Sequence, residues 1–461
     1  MAAPALVGPP VGDKSALGDE LVKRLALHTV GDLDFWDFVS ASKRSQAHAL
    51  FPYPAMMVPE LQGTLLDDLL AVDPTIEWCY DPFAGSGTVL TECMQRGLSF
   101  VGGDLNPFAI LLMTVKARPL SAGTLQSSVN RVVSSASASS SPPQVEFRGR
   151  DKWFTRPVAM GLDSLHAAIR RERGLATRRF LWVCLAGTVR IVSNSRTSTF
   201  KLHTYPAEAI RLRQQDAIAV FIRVARAAVN HVEQQRRSLE GARQLGRNGR
   251  YRHELHLRQG SVVATSSWPR GLRADVLMTS PPYGDNRTTV PYGQHSFLPL
   301  MWIDRQDLPE TKAIDALLAT AYRIDMASIG GSWVEDHAQR LADLSERSDA
   351  IAATAAVLAP IRGDGLRRFL AFCSDMDTAI NAISRRLRPG ALQFWTLGNR
   401  RICGEVVPTS TIVSQLSAAA GARELTTLHR KFPRNAKRMA SRNDAVPLMD
   451  TEQILVLQSK H

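Results

Sequence analysis

The sequence predicts an α/β fold: an open, doubly wound parallel sheet interrupted by a large, mostly helical, basic insertion. Three observations predict it. Two buried-strand patterns, IEWCYDPF (76–83) and LSFVGGD (98–104), flank a glycine turn and a helix. That is the first half of such a sheet. The rhythm returns with ADVLMTS (274–280), ALQFWTLG (391–398) and QILVLQ (453–458). Between the two runs the pattern breaks and arginine accumulates.

Residues 1–47 form an N-terminal region. Its first 20 residues are rich in Ala, Pro and Gly and are expected to be a mobile tail. Helices are expected around LGDELVKRLA (17–26) and DLDFWDFVSA (32–41). Residues 48–120 are the first part of the core. FPYPAMMVP is a turn, ELQGTLLDDLLAV an amphipathic helix, and a further helix runs from Thr88 to Arg96, ended by Gly97. Residues 121–250 are a linker and basic insertion. Serine-rich 121–143 reads as a loop or weak helix leading to an exposed linker, and 207–244 as a long helical pattern. Residues 251–461 complete the core. HELHLRQGS is a strand and its turn, and about 305–360 is an Ala-rich helical insertion. A helix over 369–387 is closed by RPG (388–390), and TIVSQLSAAA (411–420) is another.

Composition excludes several classes. A hydrophobic content of 44% over 461 residues supports a buried core. No stretch approaches the ~20 uncharged apolar residues of a membrane span. The opening residues lack a basic start followed by an apolar run, so secretion is not expected. Five dispersed cysteines give no C-x-x-C site and no disulfide framework. A cytoplasmic location, no membrane association and no bound metal are expected.

The first chemical signal is DPFAGSGTVLTE (81–92). A glycine turn between strand and helix lets backbone approach a ligand closely. It lacks both the third glycine of a dinucleotide fingerprint and the Gly-Lys-Ser/Thr of a phosphate loop, which disfavours an NTPase. Asp104 ends the next strand, where an acidic group can accept both ribose hydroxyls of an adenosine-containing cofactor. It could instead cap the helix starting near Asn106-Pro107. The second signal is TSPPYGDN (279–286), directly after a buried strand. Two prolines fix the backbone and remove two donors. Ser280 Oγ and the Pro281 carbonyl can accept the two N–H bonds of an amino group on an aromatic ring, and Tyr283 can stack on that ring. The plain alternative is a strand-ending turn.

Together DPFAGSGT and TSPPY resemble the S-adenosylmethionine-dependent amino methyltransferases of DNA, which modify exocyclic amines of cytosine or adenine. HALFPYPAMMVPELQGTLL, LRPGALQFWTLGNRRICGEVVPT, RKFPRNAKRMASRN and EQILVLQ resemble further segments of that family. The resemblance covers 48–115 and 251–460 in pieces. It implies a Rossmann-like class I methyltransferase sheet and S-adenosylmethionine as cofactor. It implies that Pro54, Asp81, Phe83, Gly85, Gly87, Thr88, Leu105 and Thr279 border the cofactor and that Asp104 holds its ribose. Ser280, Pro281, Pro282 and Tyr283 would form the catalytic loop. Where Ser261 stands, the family usually has an acidic residue, which puts the adenine contact there in question. Double-stranded DNA read at a specific site is the implied partner, and a restriction endonuclease or other defence-system protein a further one. Ser before Pro-Pro-Tyr leans to cytosine N4. Adenine N6 on the same scaffold, guanosine N2 in tRNA, and a non-catalytic DNA-binding subunit are the alternatives.

The formal net charge is +13. Residues 165–260 hold 18 Arg, Lys201 and only 6 acidic residues, which equals that whole excess. Arg binds phosphate and guanine edges bidentately. Arg196, Lys201, Arg211, Arg213, Arg236 and Arg237 are the candidate contacts, with SNSRTSTFK (193–201) as a DNA-facing loop. Trp182, Phe200 and Tyr251 either pack in a core or stack. His253 and His256 read as structural, and His295 as a candidate for lining the pocket.

Overall fold

The computed structural model describes residues 14–39, 41, 45–138, 142–264, 268–284, 290–310, 314–432 and 451–460. Most of the expected tail, the tip of TSPPYGDN (285–286) and most of RKFPRNAKRMASRN lie outside them. Helix α1 (Lys14–Leu27) already begins inside the stretch read as tail. Of the helix expected over 32–41, the described residues form only a 3-10 turn, Phe35–Asp37. Asp32 Oδ1 accepts the backbone N–H of Asp34 at 3.2 Å. Such short acidic side chains compete with helical bonding.

Next come α2 (Pro59–Val72), β1 (Trp78–Asp81), α3 (Thr88–Gln95) and β2 (Ser99–Asp104). Among the described residues, seven helices separate β2 from the next strand: α4 (Pro107–Lys116), α5 (Ala122–Ala138), α6 (Arg150–Trp153), α7 (Arg156–Arg170), α8 (Leu175–Val192), α9 (Ala207–Leu212) and α10 (Ala217–Gly241). The serine-rich segment is therefore a well-formed helix over most of its length. Leu125, Val129, Val132 and Ala136 recur at helical spacing and are all buried. That apolar stripe overrides the weak propensity of serine. The insertion is packed firmly on the core. Leu111 of α4, Leu125, Leu162, Trp182 and Phe221 belong to one apolar cluster that extends to Leu298.

The chain continues through β3 (Leu255–Gln259), β4 (Ala274–Thr279), α11 (Tyr292–Met301), α12 (Ile314–Leu318), α13 (Arg323–Met326), α14 (His337–Arg347), α15 (Asp349–Leu358) and α16 (Gly365–Ser384). It ends with β5 (Leu387–Leu397), the β6–β7 hairpin (Arg400–Ile402, Glu405–Val407), α17 (Thr409–Ala419), β8 (Ala422–Lys431) and β9 (Thr451–Ser459). RPG does not close a helix. It lies inside β5, where Gly390 has φ +79° and the pairing with β4 shifts register. β8 is an unexpected strand, paired antiparallel to β9.

The seven-stranded sheet runs β3-β2-β1-β4-β5-β9-β8. Neighbours are parallel from β3 to β5, and β9 is antiparallel to β5. This is a Rossmann-like open sheet, parallel over five strands with an antiparallel pair at one edge. From β1 the chain moves outward to β2 and β3, then returns to lay β4 on the other side of β1. The strand order therefore reverses at β1 and β4. Ligands of open α/β sheets bind outside the carboxyl ends of strands at such a reversal. The glycine turn follows β1, and TSPPY begins at the end of β4. No helix among the described residues is long and apolar enough to cross a membrane.

Candidate functional site

Asp81 and Thr279 end the two strands at the reversal and are both fully buried. Thr279 Oγ1 donates to Asp81 Oδ1 at 2.6 Å, and the Phe83 N–H donates to the same oxygen at 3.1 Å. This contact locks the glycine loop to the TSPPY loop. Asp81 Oδ2 has no hydrogen-bond partner among the described residues. Burial, opposed by these hydrogen bonds, raises the Asp81 carboxyl to about 7.

The glycine loop needs its glycines. Gly85 and Gly87 adopt φ +49° and +75°, in the left-handed region. A Cβ on Gly87 would also lie 2.6 Å from Met113 Cγ. Beneath the loop, buried Lys116 donates from Nζ to the Ser86 carbonyl at 2.6 Å. Burial lowers the Lys116 amine to about 7. Across the loop, Asp104 Oδ2 accepts the Gly85 N–H at 2.9 Å and its Oδ1 accepts the Asn106 N–H at 2.8 Å. Burial is the main cause that raises Asp104 to about 6. Asn106, not Asp104, caps α4, accepting the Phe108 N–H.

A cavity of about 270 Å³ lies over these loops. Of the sequence-derived candidates, Pro54, Phe83, Gly85, Thr88, Asp104, Leu105, Ser280 and Pro282 line it. Asp81, Gly87, Thr279, Pro281 and Tyr283 are not on its lining. The contacts of Asp81, Gly87, Thr279 and Tyr283 hold the loops that are. Ser261, which departs from the family pattern, lines the cavity with Val262 and Val263. His295 does not. It is buried between the rings of Phe51 and Phe200, at 5.6 and 5.7 Å.

Several lining residues lie outside those candidates. Tyr53 and Tyr292 stack at 5.9 Å, and Asn106 Nδ2 donates to Tyr53 Oη and to Ser296 Oγ. Asp325, from the Ala-rich insertion, lines the cavity and accepts the N–H groups of Gly293 and Gln294 at 2.7 and 3.2 Å. It thereby holds the start of α11. Burial raises it to about 6. The carboxylates Asp104 and Asp325, the Ser280 hydroxyl and the apolar walls from Phe83, Met56 and Val262 suit a ligand with hydroxyls, a positive centre and a flat ring. No group of three or more metal-ligating side chains occurs among the described residues.

The basic candidates separate into two kinds. Arg213 and Arg236 are engaged within the chain. Arg213 Nη2 donates to the Ile191 carbonyl at 2.8 Å, with its guanidinium 4.3 Å from the Tyr205 ring. Arg236 bonds the Pro119 carbonyl at 3.1 Å and Glu240 at 2.8 Å. Both are half-buried and already bonded within the chain. Arg196, Lys201, Arg211 and Arg237 are exposed, Arg211 beside Glu208 and Arg237 beside Glu233. Arg223 and Arg226 of α10 are exposed as well. The loop bearing Arg196 and Lys201 touches α11, where Leu202 N–H meets Gln294 Oε1 and Phe200 meets His295. Trp182 and Tyr251 are structural. Trp182 Nε1 donates to Asp307 at 2.7 Å, and Tyr251 Oη donates to the Leu98 carbonyl at 2.9 Å. His256 stacks on Trp78.

No family model matches the chain. It is similar to the Type II methyltransferase M.MvaI of Kocuria varians, 27% identical over 438 residues and covering 92% of each chain. A 98-residue stretch is 35% identical to the Type II methyltransferase M.MjaII of Methanocaldococcus jannaschii, covering 21% of this chain and 18% of that one. Among solved structures, the rRNA methyltransferase aviRa from Streptomyces viridochromogenes covers 88% of this chain at 12% identity with a TM-score of 0.27.

Proposed function

We propose that the chain is an S-adenosylmethionine-dependent DNA methyltransferase that modifies an exocyclic amine, cytosine N4, at a specific site. One observation carries the reading: Ser280 and Pro282, at the end of β4, share a cavity with the glycine loop and Asp104. The full-length similarity to a Type II methyltransferase supports it. Bound there, S-adenosylmethionine supplies a methyl group on a positive sulfur. Asp104 accepts the ribose hydroxyls. Pro54, Phe83, Gly85, Thr88 and Leu105 border the remainder, with Asp81, Gly87 and Thr279 fixing the loops behind them. Ser280 Oγ and the Pro281 carbonyl accept the amine N–H bonds, which localises the nitrogen lone pair for in-line attack. Pro282 stiffens the loop and the Tyr283 ring stacks on the base. Alignment of the two reactants supplies much of the acceleration. In a duplex the base must be flipped out, at a cost of roughly a few kcal/mol.

The region 121–250 is proposed as the DNA-recognition part, set between the cofactor half (48–120) and the catalytic half (251–461). Its loop with Arg196 and Lys201 touches α11, whose Tyr292 lines the cavity. A restriction or phage-defence setting fits a type II relative. The test is incubation with labelled S-adenosylmethionine and mixed DNA and tRNA, followed by nucleoside mass spectrometry. N4-methylcytosine is expected. N6-methyladenine would move the target to adenine, and label in tRNA alone would overturn the reading.

A further inference from the structure

Glu452 of β9 is far from the catalytic loop in sequence, yet it joins that loop through one side chain. Tyr283 Oη donates to Glu452 Oε1 at 3.0 Å. The other oxygen, Oε2, accepts from Arg430 Nη1 at 2.6 Å. Arg430 is itself buried and anchored, with Nη2 donating to the Asp37 carbonyl at 3.2 Å. The Lys431 N–H donates to Asp37 Oδ1 at 2.6 Å, which fixes β8 beside the same turn. At the other end, Ser280 Oγ lies 3.3 Å from Tyr283 Oη. The result is an unbroken chain from the N-terminal turn through Arg430, Glu452 and Tyr283 to Ser280.

The direction of this chain is set from the arginine end. A guanidinium only donates, and a carboxylate facing it only accepts. The single Tyr283 proton must therefore point at Glu452. Burial first, then the Glu452 charge, push the Tyr283 phenol well above its ordinary value, so that proton stays on. Tyr283 Oη is left as an acceptor, and it takes the Ser280 proton. Ser280 Oγ then offers only lone pairs to the cavity that it lines.

We propose that Glu452 is a positioning residue that acts through Tyr283 to hold Ser280 as a hydrogen-bond acceptor, selecting a base edge that donates from an amino group over one that presents a carbonyl. The proposal rests on the amino-methyltransferase reading. A serine hydroxyl free to rotate could donate to a keto oxygen as readily as it accepts from an amine. The tether removes that option before substrate arrives, and preorganised polarity is where an active site gains most.

The discriminating variant is Glu452→Gln. Arg430 retains the amide oxygen, so the amide N–H faces Tyr283 Oη. The phenolic proton is then turned toward Ser280 and occupies its lone pair. With labelled S-adenosylmethionine and a DNA substrate, E452Q should lower kcat roughly ten- to hundredfold. The Kd values for cofactor and DNA should stay within about twofold. Tyr283→Phe keeps the stacking ring, removes the relay, and should lower kcat without weakening cofactor binding. The double variant Y283F/E452Q should be no slower than Y283F, because Glu452 acts only through the phenol. Wild-type kcat in E452Q or in Y283F overturns the proposal. So does an E452Q effect of equal size in the Y283F background, which would mark a purely structural role. If E452Q does not fold, the Y283F result decides. A wild-type chain that binds cofactor but methylates no DNA overturns the functional reading and the proposal with it. It is told apart because wild type and variants are then equally inert.

Discussion

Asp104 Oδ2 accepts the backbone N–H of Gly85 at 2.9 Å, tying the end of β2 to the glycine loop after β1. One carboxylate thus shapes the loop and faces the cavity. Asp104→Asn halves its acceptor capacity and exposes an N–H to the ligand. The Kd for S-adenosylmethionine should rise about ten- to hundredfold by calorimetry. A change below about twofold would remove Asp104 from the cofactor site.

If Asp104 holds the cofactor ribose as proposed, the same carboxyl should make cofactor binding pH-dependent. Burial raises Asp104 to about 6, and accepting ribose hydroxyls requires the ionised form. Cofactor affinity should therefore fall as pH drops from about 7 to about 5. Asp104→Asn should flatten that slope. Folding stability carries the opposite sign. Asp81, Asp104 and Asp325 have raised values, so between the ordinary carboxylate range and about 6 to 7 the folded chain holds more protons than the unfolded one. Their contribution to stability is full at low pH and is lost as pH rises through that window.

Lys116 has the reverse linkage. Burial lowers it from 10.5 to about 7, so the unfolded chain holds the extra proton between those values. Its contribution makes stability rise with pH there, on the order of 1 kcal/mol per pH unit. Lys116→Met should lose that rise, read as the change between about pH 7.5 and about pH 9.5 in denaturant unfolding of both chains. It also leaves the Ser86 carbonyl without its donor, so cofactor affinity should fall. A parallel pH dependence in the two chains would contradict the buried-amine account.

Asp307 fastens the insertion to the core. Its oxygens accept Arg178 Nε and Nη2, both at 2.7 Å, and Trp182 Nε1. Asp307→Ala leaves the fully buried Trp182 indole N–H unpaired, while Arg178 keeps the Glu172 carbonyl. Stability should fall by about 1–3 kcal/mol. A midpoint shift equivalent to under about 1 kcal/mol would show that the cluster relaxes without it.

DNA affinity should follow exposure. Replacing Arg196, Lys201 and Arg237 by Ala should weaken binding across sequences and reduce the salt slope by about one per lost phosphate contact. Arg213→Ala should mainly lower thermal stability, because its partners are the Ile191 carbonyl and the Tyr205 ring. An equal loss of DNA affinity from Arg213→Ala would contradict this division.

Local patterns made much of the sheet legible. β1, α3, β2 and β4 fall where apolar runs and glycine punctuation place them, because a buried strand ending in a glycine turn writes itself in adjacent residues. Patterns that depend on distant partners misled. The serines of α5 read as a loop or weak helix until the rest of the insertion buries its apolar stripe. β8, with its mixed ARELTTLHRK pattern, is a strand because β9 supplies the ladder.

The candidate site divides in the same way. Gly85, Asp104 and Ser280 stand at strand ends in recognisable motifs, since backbone geometry demands those residue types at those places. Asp325, Lys116 and Glu452 carry no motif, because a carboxylate or amine becomes special only through what surrounds it. The sequence by itself determined an α/β sheet with a glycine loop, a Ser-Pro-Pro-Tyr loop and an arginine-rich insertion. Only the tertiary structure decided which arginines are held internally, and which buried groups steer the loops. Hydrogen-bond direction and desolvation belong to pairs of side chains that folding brings together from distant parts of the chain, as with Tyr283 and Glu452, 169 residues apart.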